Sequence, residues 1–578
     1  MYTTERNTQI LISLLKAHGI KKVIASPGAT NVSFIASIQN DAFFEIYSSV
    51  DERSAAYIAC GLAAESGEAV ALSCTGATAS RNYTSGLTEA YYRKLPILAI
   101  TSTMPLGRIG HNIPQVIDRT SPLNDIAKLS VLVPEVHDDE DEWICTVNVN
   151  KALLELNHHG CGPVHINLVT RQSGEFNVKE IENVNVIDRI INNDKVIDIN
   201  NKKVGIFVGA HKKWSDRLTE LVDTFCENYN GVVLCDQTSN YKGKYKVMAS
   251  LITSQKQYYA DCRNVDILIH LGDISGAYLT LNPSEVWRVN PDGEIRDTFR
   301  KLRYVFECSE EDFFEKYNNL RKKGTDKKTD YYNSWHNEYI NINNNIPELP
   351  FSNIWISQQM SKLLPQNSII HLGILNSLRS WNFFETPDTV LGYSNTGGFG
   401  IDGCISSLLG ASLAKPDTIF YGAIGDLAFF YDMNALGNRH LSKNIRLLVV
   451  NNGHGQEFRN YAHRAEQFGE DTDTFIAAAG HYGQKSKVLV KHYAEDLGFE
   501  YLSSINKEEF KSASQRFLTP EITQKPILFE CFTDCQDESD ALKSIYNISK
   551  DNLLLAKNTA KKLLGADGIR KIKKILKG

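Results

Sequence analysis

Apolar residues in this chain come in short, nearly unbroken runs that stop at glycine or at a small oxygen-bearing residue. Lys21-Lys-Val-Ile-Ala-Ser-Pro-Gly28 reads as a strand entering a turn, and Phe44-Glu-Ile-Tyr47 as a second strand. Lys203-Val-Gly-Ile-Phe-Val-Gly-Ala210, Gly231-Val-Val-Leu-Cys235 and Val265-Asp-Ile-Leu-Ile-His-Leu271 read the same way. Strands buried on both faces of a parallel sheet have this pattern. Helical stretches lie between them. Residues 4–18 begin with a Thr cap and end at Gly19, and Val50–Ala64 is a small-residue helix with an acidic first turn. The alternation predicts an α/β protein of three doubly wound parallel-sheet domains.

Composition shifts suggest the boundaries. A first domain covers 1–175 and an acidic, polar linker 176–201. A second domain covers 202–330 and ends in a Lys-rich run. An Asn-rich linker covers 331–350 and a third domain 351–545. The remainder, 546–578, is a basic tail whose Ile569–Lys577 is amphipathic at helical spacing; we read it as a terminal helix packed on its own protein. A length of 578 residues suits about three to four domains.

The 42% hydrophobic and 22% charged content is ordinary for a globular protein, and a net charge of −6 disfavours nucleic acid as a partner. The 11 cysteines are scattered without metal spacing, which fits reduced thiols. No stretch reaches the roughly 18 apolar residues of a membrane span, and the N-terminus lacks a leader pattern. These features point to a cytoplasmic enzyme.

The chemistry is concentrated at two strand ends. Thr418-Ile-Phe-Tyr421 runs into Gly-Ala-Ile-Gly425-Asp426, and Ile445–Val450 runs into Asn-Asn452-Gly453-His454-Gly455. Neighbouring parallel strands would set Asp426 and Asn452 side by side at the carboxyl edge of a sheet, where α/β folds bind ligands. A carboxylate, an amide oxygen and a loop carbonyl form a hard-oxygen shell suited to Mg2+ carrying a diphosphate. Gly425 and Gly453 allow close backbone approach.

This spacing resembles the Gly-Asp-Gly…Asn-Asn signature of thiamine-diphosphate enzymes, with Leu427 in place of the third Gly. Val50-Asp-Glu52-Arg, Cys74-Thr-Gly-Ala-Thr-Ala-Ser-Arg-Asn82 and Gly162-Pro-Val-His-Ile-Asn-Leu168 resemble the family's first domain in the same order. Without the resemblance, Glu52 would read as an acid favouring a helix dipole. The resemblance implies that Glu52 hydrogen-bonds the cofactor's aminopyrimidine. It implies that Asp426 and Asn452 bind the metal through side chains and His454 through its carbonyl. Asn376, Gly425, Leu427 and Gly455 would line the cofactor, Gly397 would accept from its amino group, and Phe399 or Ile401 would wedge between its rings. Gln115 and Ser377 would orient substrate, and His111 would shuttle protons. The family also implies a homodimer or homotetramer with the active site at the subunit interface.

Asp51-Glu-Arg-Ser-Ala-Ala56, Pro114-Gln-Val-Ile-Asp118, Asn376-Ser-Leu378 and Gly397-Gly-Phe-Gly-Ile-Asp-Gly403 resemble one branch most, the 2-succinyl-5-enolpyruvyl-6-hydroxy-3-cyclohexene-1-carboxylate synthases. The departures are informative. Thr30, Met104, Trp381 and Thr396 stand where that branch carries arginines, and Gly272–Tyr278 lacks its Lys-Arg pair. Neutral residues cannot replace carboxylate-gripping guanidiniums cheaply. Met104, Trp381 and Phe399 would instead line a pocket for a small donor, pyruvate being the simplest. Gly205-Ile-Phe-Val-Gly-Ala210 lacks a full Gly-x-Gly-x-x-Gly, so no FAD is expected. The expected activity is a carboligase that decarboxylates a 2-oxoacid and passes the acyl unit to a carbonyl acceptor. The alternatives are a simple decarboxylase releasing an aldehyde and a non-catalytic cofactor-binding protein.

Overall fold

The structure, a computed structural model, describes residues 1–551 except 120, 173, 192–195, 278 and 322–328. The basic tail therefore lies outside the described residues from 552 on, as does most of the Lys-rich run. Two units emerge, one of 1–191 with 293–305, the other of 192–292 with the chain from 306.

In the first unit the apolar runs form β1 (Lys22–Ala25), β2 (Glu45–Ser48), β3 (Val70–Cys74), β4 (Ile97–Thr103), β5 (Leu129–Val133) and β6 (Val164–Val169). They make one parallel sheet in the order β2-β1-β3-β4-β6-β5. Every residue of β3, β4 and β6 is buried, as both faces are covered. One face packs under the helices Arg6–Ala17 and Asp139–Glu155 through Leu11, Leu14, Val149 and Leu153. The other packs under Glu52–Ser66, whose Ala55, Ala56, Ala59 and Ala63 are buried. Small residues are required there, because a Cβ on Gly86 would fall 2.4 Å from the Cβ of Ala56. The first helix starts at Arg6 rather than Thr4; the Thr3 hydroxyl accepts from the Glu5 N–H instead of capping the first turn. Inside the stretch expected as a linker, Val178 bridges Tyr2, and Asp188–Ile191 forms a strand, β7.

The second unit opens with β8 (Val204–Val208), β9 (Gly231–Cys235), β10 (Lys246–Met248), β11 (Asn264–Leu271) and β12 (Asn282–Val289), neighbours in the order β10-β9-β8-β11-β12. After β13 (Leu302–Glu307) and the helix Glu310–Leu320, a further helix stands where an Asn-rich linker was expected. Asp330–Asn344 buries Tyr331, Trp335, Tyr339 and Ile342, a helical stripe hidden among polar residues. The last sheet holds β14 (Ile369–Leu372), β15 (Leu391–Ser394), β16 (Phe420–Gly425), β17 (Ile445–Asn451), β18 (Glu500–Ser504) and β19 (Ile527–Phe532). Its order is β15-β14-β16-β17-β19-β18, all pairings parallel. The first and last sheets thus have the same topology.

Candidate active site

In the last sheet the strand order reverses between β14 and β16, which opens a crevice at their carboxyl ends. The segments that follow β15, β14, β16 and β17 all leave the sheet at this edge, and they carry the expected cofactor residues of this unit. β16 ends at Gly425, and Asp426 begins the helix Asp426–Asp432. Asp426 is only 4% exposed, and its Oδ2 accepts from the Gly453 N–H at 2.9 Å. Gly453 has φ +73°, and a Cβ there would meet the Gln484 side chain at 2.6 Å, so the position requires glycine. The Asn452 amide oxygen accepts from the His454 N–H at 3.2 Å, and His454 Nδ1 lies 2.7 Å from the Asn452 carbonyl. Asp473 holds this loop from outside, 3.6 Å from His454 Nε2 and 2.6 Å from Arg459 Nη1.

Burial pushes the Asp426 carboxyl up to about 7, against the pull of the Leu427 and Gly453 N–H groups. No Lys or Arg pairs with it among the described residues. An ionised carboxylate in such a place is costly unless a cation arrives, and the oxygens of Asp426, Asn452 and the loop carbonyls form a hard donor set. The residues present therefore fit a divalent ion.

After β14, Asn376 and Ser377 open the helix Asn376–Trp381. The Asn376 amide oxygen accepts from Asn460 Nδ2 at 2.6 Å and from Arg379 Nη1 at 3.1 Å. Arg379 is engaged bidentately by Glu457 at 2.8 and 2.7 Å, so this guanidinium already grips a carboxylate of the protein. Ser377 is buried and accepts from Asn353 Nδ2 at 3.4 Å. The Asn353 N–H donates to the Glu538 carboxylate, whose carboxyl burial pushes up to about 7. After β15 the loop from Asn395 to Gly403 is closed by the Asn395 amide donating to the Gly403 carbonyl at 3.1 Å. Within it Phe399 takes a left-handed φ of +54°, Ile401 packs on the β14–β17 core, and space is open beside Gly397. Phe399 and Arg379, with Leu375, Phe383, Gly276 and Tyr546, line a cavity of about 70 Å3.

The expected lining of an apolar pocket by Met104, Trp381 and Phe399 does not hold for Trp381. Trp381 is fully buried in the core, because its helix turns it away from the face that carries Asn376 and Arg379. Met104 lines a charged groove of about 780 Å3 in the first unit with Arg108, Glu135, His137 and Arg171. Thr396 is buried as well.

In the first unit, Asp51 is the N-cap of Glu52–Ser66 and accepts from the Arg53 N–H at 3.1 Å. The helix start is thereby satisfied without Glu52, whose Oε2 accepts from Asn82 Nδ2 at 3.0 Å. Around it the surface is apolar: Val50 is 79%, Tyr57 48% and Ile58 48% exposed. His111 and Gln115 are exposed in the loop after the short turn Leu106–Arg108, and Gln115 holds a φ of +63°. Thr30 is buried, donating to the Ser102 carbonyl at 3.2 Å and accepting from the Gly76 N–H at 3.3 Å. It is a strut of the sheet edge rather than a wall of a pocket.

Residues 6–121 match the family model described as thiamine pyrophosphate enzyme, N-terminal TPP binding domain. A 2-succinyl-5-enolpyruvyl-6-hydroxy-3-cyclohexene-1-carboxylate synthase of Bacteroides fragilis is 32% identical over 95% of this chain and 100% of its own length. The synthase of the same name from Phocaeicola vulgatus is 31% identical over 95% of this chain and 99% of its own. This chain belongs to the thiamine-diphosphate enzyme family, on the branch of these synthases. A more distant synthase, from Flavobacterium johnsoniae, is 26% identical over 78% of this chain and 84% of its own.

As a member of that family the protein is a thiamine-diphosphate-dependent enzyme, and no helix among the described residues is long and apolar enough to cross a membrane. The sequence reading missed three residues at these edges. Asn82 supports Glu52, and Glu457 occupies Arg379; neither has a pattern that could have marked it. The third is Arg119, which directly follows the Gln-Val-Ile-Asp segment already singled out.

Proposed function

We propose that the protein is a thiamine-diphosphate- and Mg2+-dependent carboligase that decarboxylates a 2-oxoacid, with pyruvate the favoured donor, and joins the acyl unit to a carbonyl acceptor. The observation that carries this reading is Asp426: a buried carboxylate without a protein cation among the described residues, at a sheet switch point, beside Asn452 and the His454 carbonyl. These three would hold the metal. Asn376, Gly425, Leu427 and Gly455 would lie along the diphosphate, and Gly397, Phe399 and Ile401 along the rings. Bound thiamine diphosphate supplies a thiazolium that accepts the electron pair released when a 2-oxoacid loses CO2.

The chain's own residues do the rest. Glu52 holds a proton at a pyrimidine nitrogen, and Asn82 fixes its carboxylate. Gln115 and Ser377 orient the substrate, and His111 moves a proton. Phe399, held in a left-handed conformation, keeps water from the small cavity that it lines. The exposed Val50, Tyr57 and Ile58 beside Glu52 support a homodimer or homotetramer that covers them and completes the site. The name of the relatives' product describes a succinyl- and carboxylate-bearing molecule. Neutral Thr30, Met104 and Thr396 favour a different donor here.

A panel of 2-oxoacids, incubated with the protein, thiamine diphosphate and Mg2+, tests this by CO2 release and by mass spectrometry of acceptor adducts. Pyruvate should release CO2 and yield an adduct with at least one acceptor. Absence of CO2 from every 2-oxoacid overturns the proposal. The cavity of about 70 Å3 keeps one alternative in view, a simple decarboxylase, which free acetaldehyde unaffected by acceptors would favour.

A further inference from the structure

Arg119 is a buried cation with no ion pair to an anion among the described residues. It is 6% exposed, and its Nη2 donates to the Ser102 carbonyl at 3.3 Å and to the Asn167 amide oxygen at 2.9 Å. Neither acceptor is charged. Nε and Nη1 are shut off from solvent and have no hydrogen-bond partner among the described residues.

Two buried titratable groups close by carry no negative charge. His165, held between the Thr101 and Ser130 hydroxyls at 2.7 and 2.8 Å, is pushed down to about 3 by burial and is neutral at physiological pH. The buried Cys74 thiol is pushed up to about 12 and is neutral too. Arg81, whose Nη2 donates to the Asp118 carbonyl at 2.9 Å, adds a second positive charge that acts on Arg119. Burial and Arg81 together push Arg119 down to about 10, so it remains charged. A buried guanidinium with open N–H groups is costly unless an anion completes it.

Its place in the fold says which anion. The Ser102 carbonyl that Arg119 grips also accepts from Thr30. A Cβ on Gly76 would stand 2.9 Å from that oxygen, 3.5 Å from the Gln115 carbonyl and 3.6 Å from Arg119 Nη2. The guanidinium therefore sits at the carboxyl edge of β3 and β4 with Thr30 and Gln115. Thr30 is the neutral residue standing where a substrate-gripping arginine was expected. Arg119 places a cation at this same edge, on a different segment from Thr30.

We propose that Arg119 is a substrate-recognition residue that holds a carboxylate other than the one lost as CO2. A guanidinium clamped on the departing carboxylate would stabilise the ground state and oppose its loss, whereas a carboxylate that persists can be held throughout. The loop that carries Arg119 must shift to admit it, because the open nitrogens are sealed. The proposal rests on the 2-oxoacid reading above, and the carboxylate belongs either to a dicarboxylic donor or to the acceptor.

Succinate, a dicarboxylate that cannot be decarboxylated here, tests the contact without turnover. Calorimetry on the holoenzyme should show wild-type binding, at least tenfold weaker binding in Arg119→Gln and an intermediate affinity in Arg119→Lys. Thiamine diphosphate affinity and melting temperature should be unchanged in Arg119→Lys. Equal succinate affinity in wild type and Arg119→Gln, or no binding by wild type, overturns the proposal. So does loss of folding in Arg119→Gln when Arg119→Lys folds and binds succinate like wild type. In turnover, a rise in KM for 2-oxoglutarate but not pyruvate in Arg119→Lys places the carboxylate on the donor. A rise confined to a carboxylated acceptor places it there. If no 2-oxoacid releases CO2, the functional reading fails while the succinate result still decides the role of Arg119.

Discussion

The first and last sheets have the same strand order and present their candidate functional residues at the same carboxyl edge, yet they leave opposite tasks unfinished. The last sheet buries a carboxylate, Asp426, among backbone N–H groups and supplies no cation among the described residues. The first leaves a carboxylate, Glu52, half-buried with one amide donor and an exposed apolar surface around it. It also buries a cation, Arg119, and supplies no anion paired with it among the described residues. Topology thus determines where a ligand can be met, while burial and the neighbouring charges determine which ligand is missing.

Replacing Asp426 should have the largest effect. Asp426→Asn should remove metal-supported turnover by more than about a thousandfold, since the hard-oxygen shell loses its only charge. The same change should stabilise the metal-free protein in a pH-dependent way. The folded carboxyl is raised to about 7, above the ordinary unfolded value, so wild-type stability is fullest below about pH 4 and falls as pH rises through 7. Melting curves in EDTA should therefore fall between pH 5 and 8 in wild type and flatten in Asp426→Asn. Glu538, raised by burial in the same unit, adds a slope of the same sign, so some decline should remain. Mg2+ should restore wild type and not the variant; an identical pH slope in the two proteins would reject the buried-carboxylate account.

Glu52→Gln is expected to follow, with turnover down by about 10²–10⁴ and thiamine diphosphate affinity nearly unchanged. Activity like wild type would remove Glu52 from the chemistry. Asn82→Ala deletes the donor to Glu52 and should lower kcat roughly fivefold, the value of one hydrogen bond of about 1 kcal/mol. Smallest in activity is Asp51→Ala, which removes the N-cap of Glu52–Ser66. It should cost about 1 kcal/mol of stability by denaturant titration and leave kcat near wild type. If Asp51→Ala lowered kcat as far as Glu52→Gln, the separation of cap from chemistry would fail.

Much of this arrangement was legible beforehand. The strand ends at Gly425-Asp426 and Asn451-Asn452 carry their own punctuation, and β16 and β17 pair as neighbours. The Ala-rich Glu52 helix announces close packing. The Asp330–Asn344 helix was hidden, because four buried apolar positions are diluted by asparagines that lower local helix preference. Trp381 was misjudged because its spacing from Asn376 did not reveal which side of a short helix would face the core. Arg119 was overlooked because an arginine in a polar loop looks solvated until its surroundings are assembled.

The sequence by itself determined the period of the strands and helices, the family and the positions at which strands release polar residues, since these depend on neighbours a few residues away. Only the tertiary structure decided which charges lose their water and which find a partner. The atoms that exclude solvent from Asp426 and Arg119 come from segments far along the chain, and no local pattern encodes that enclosure.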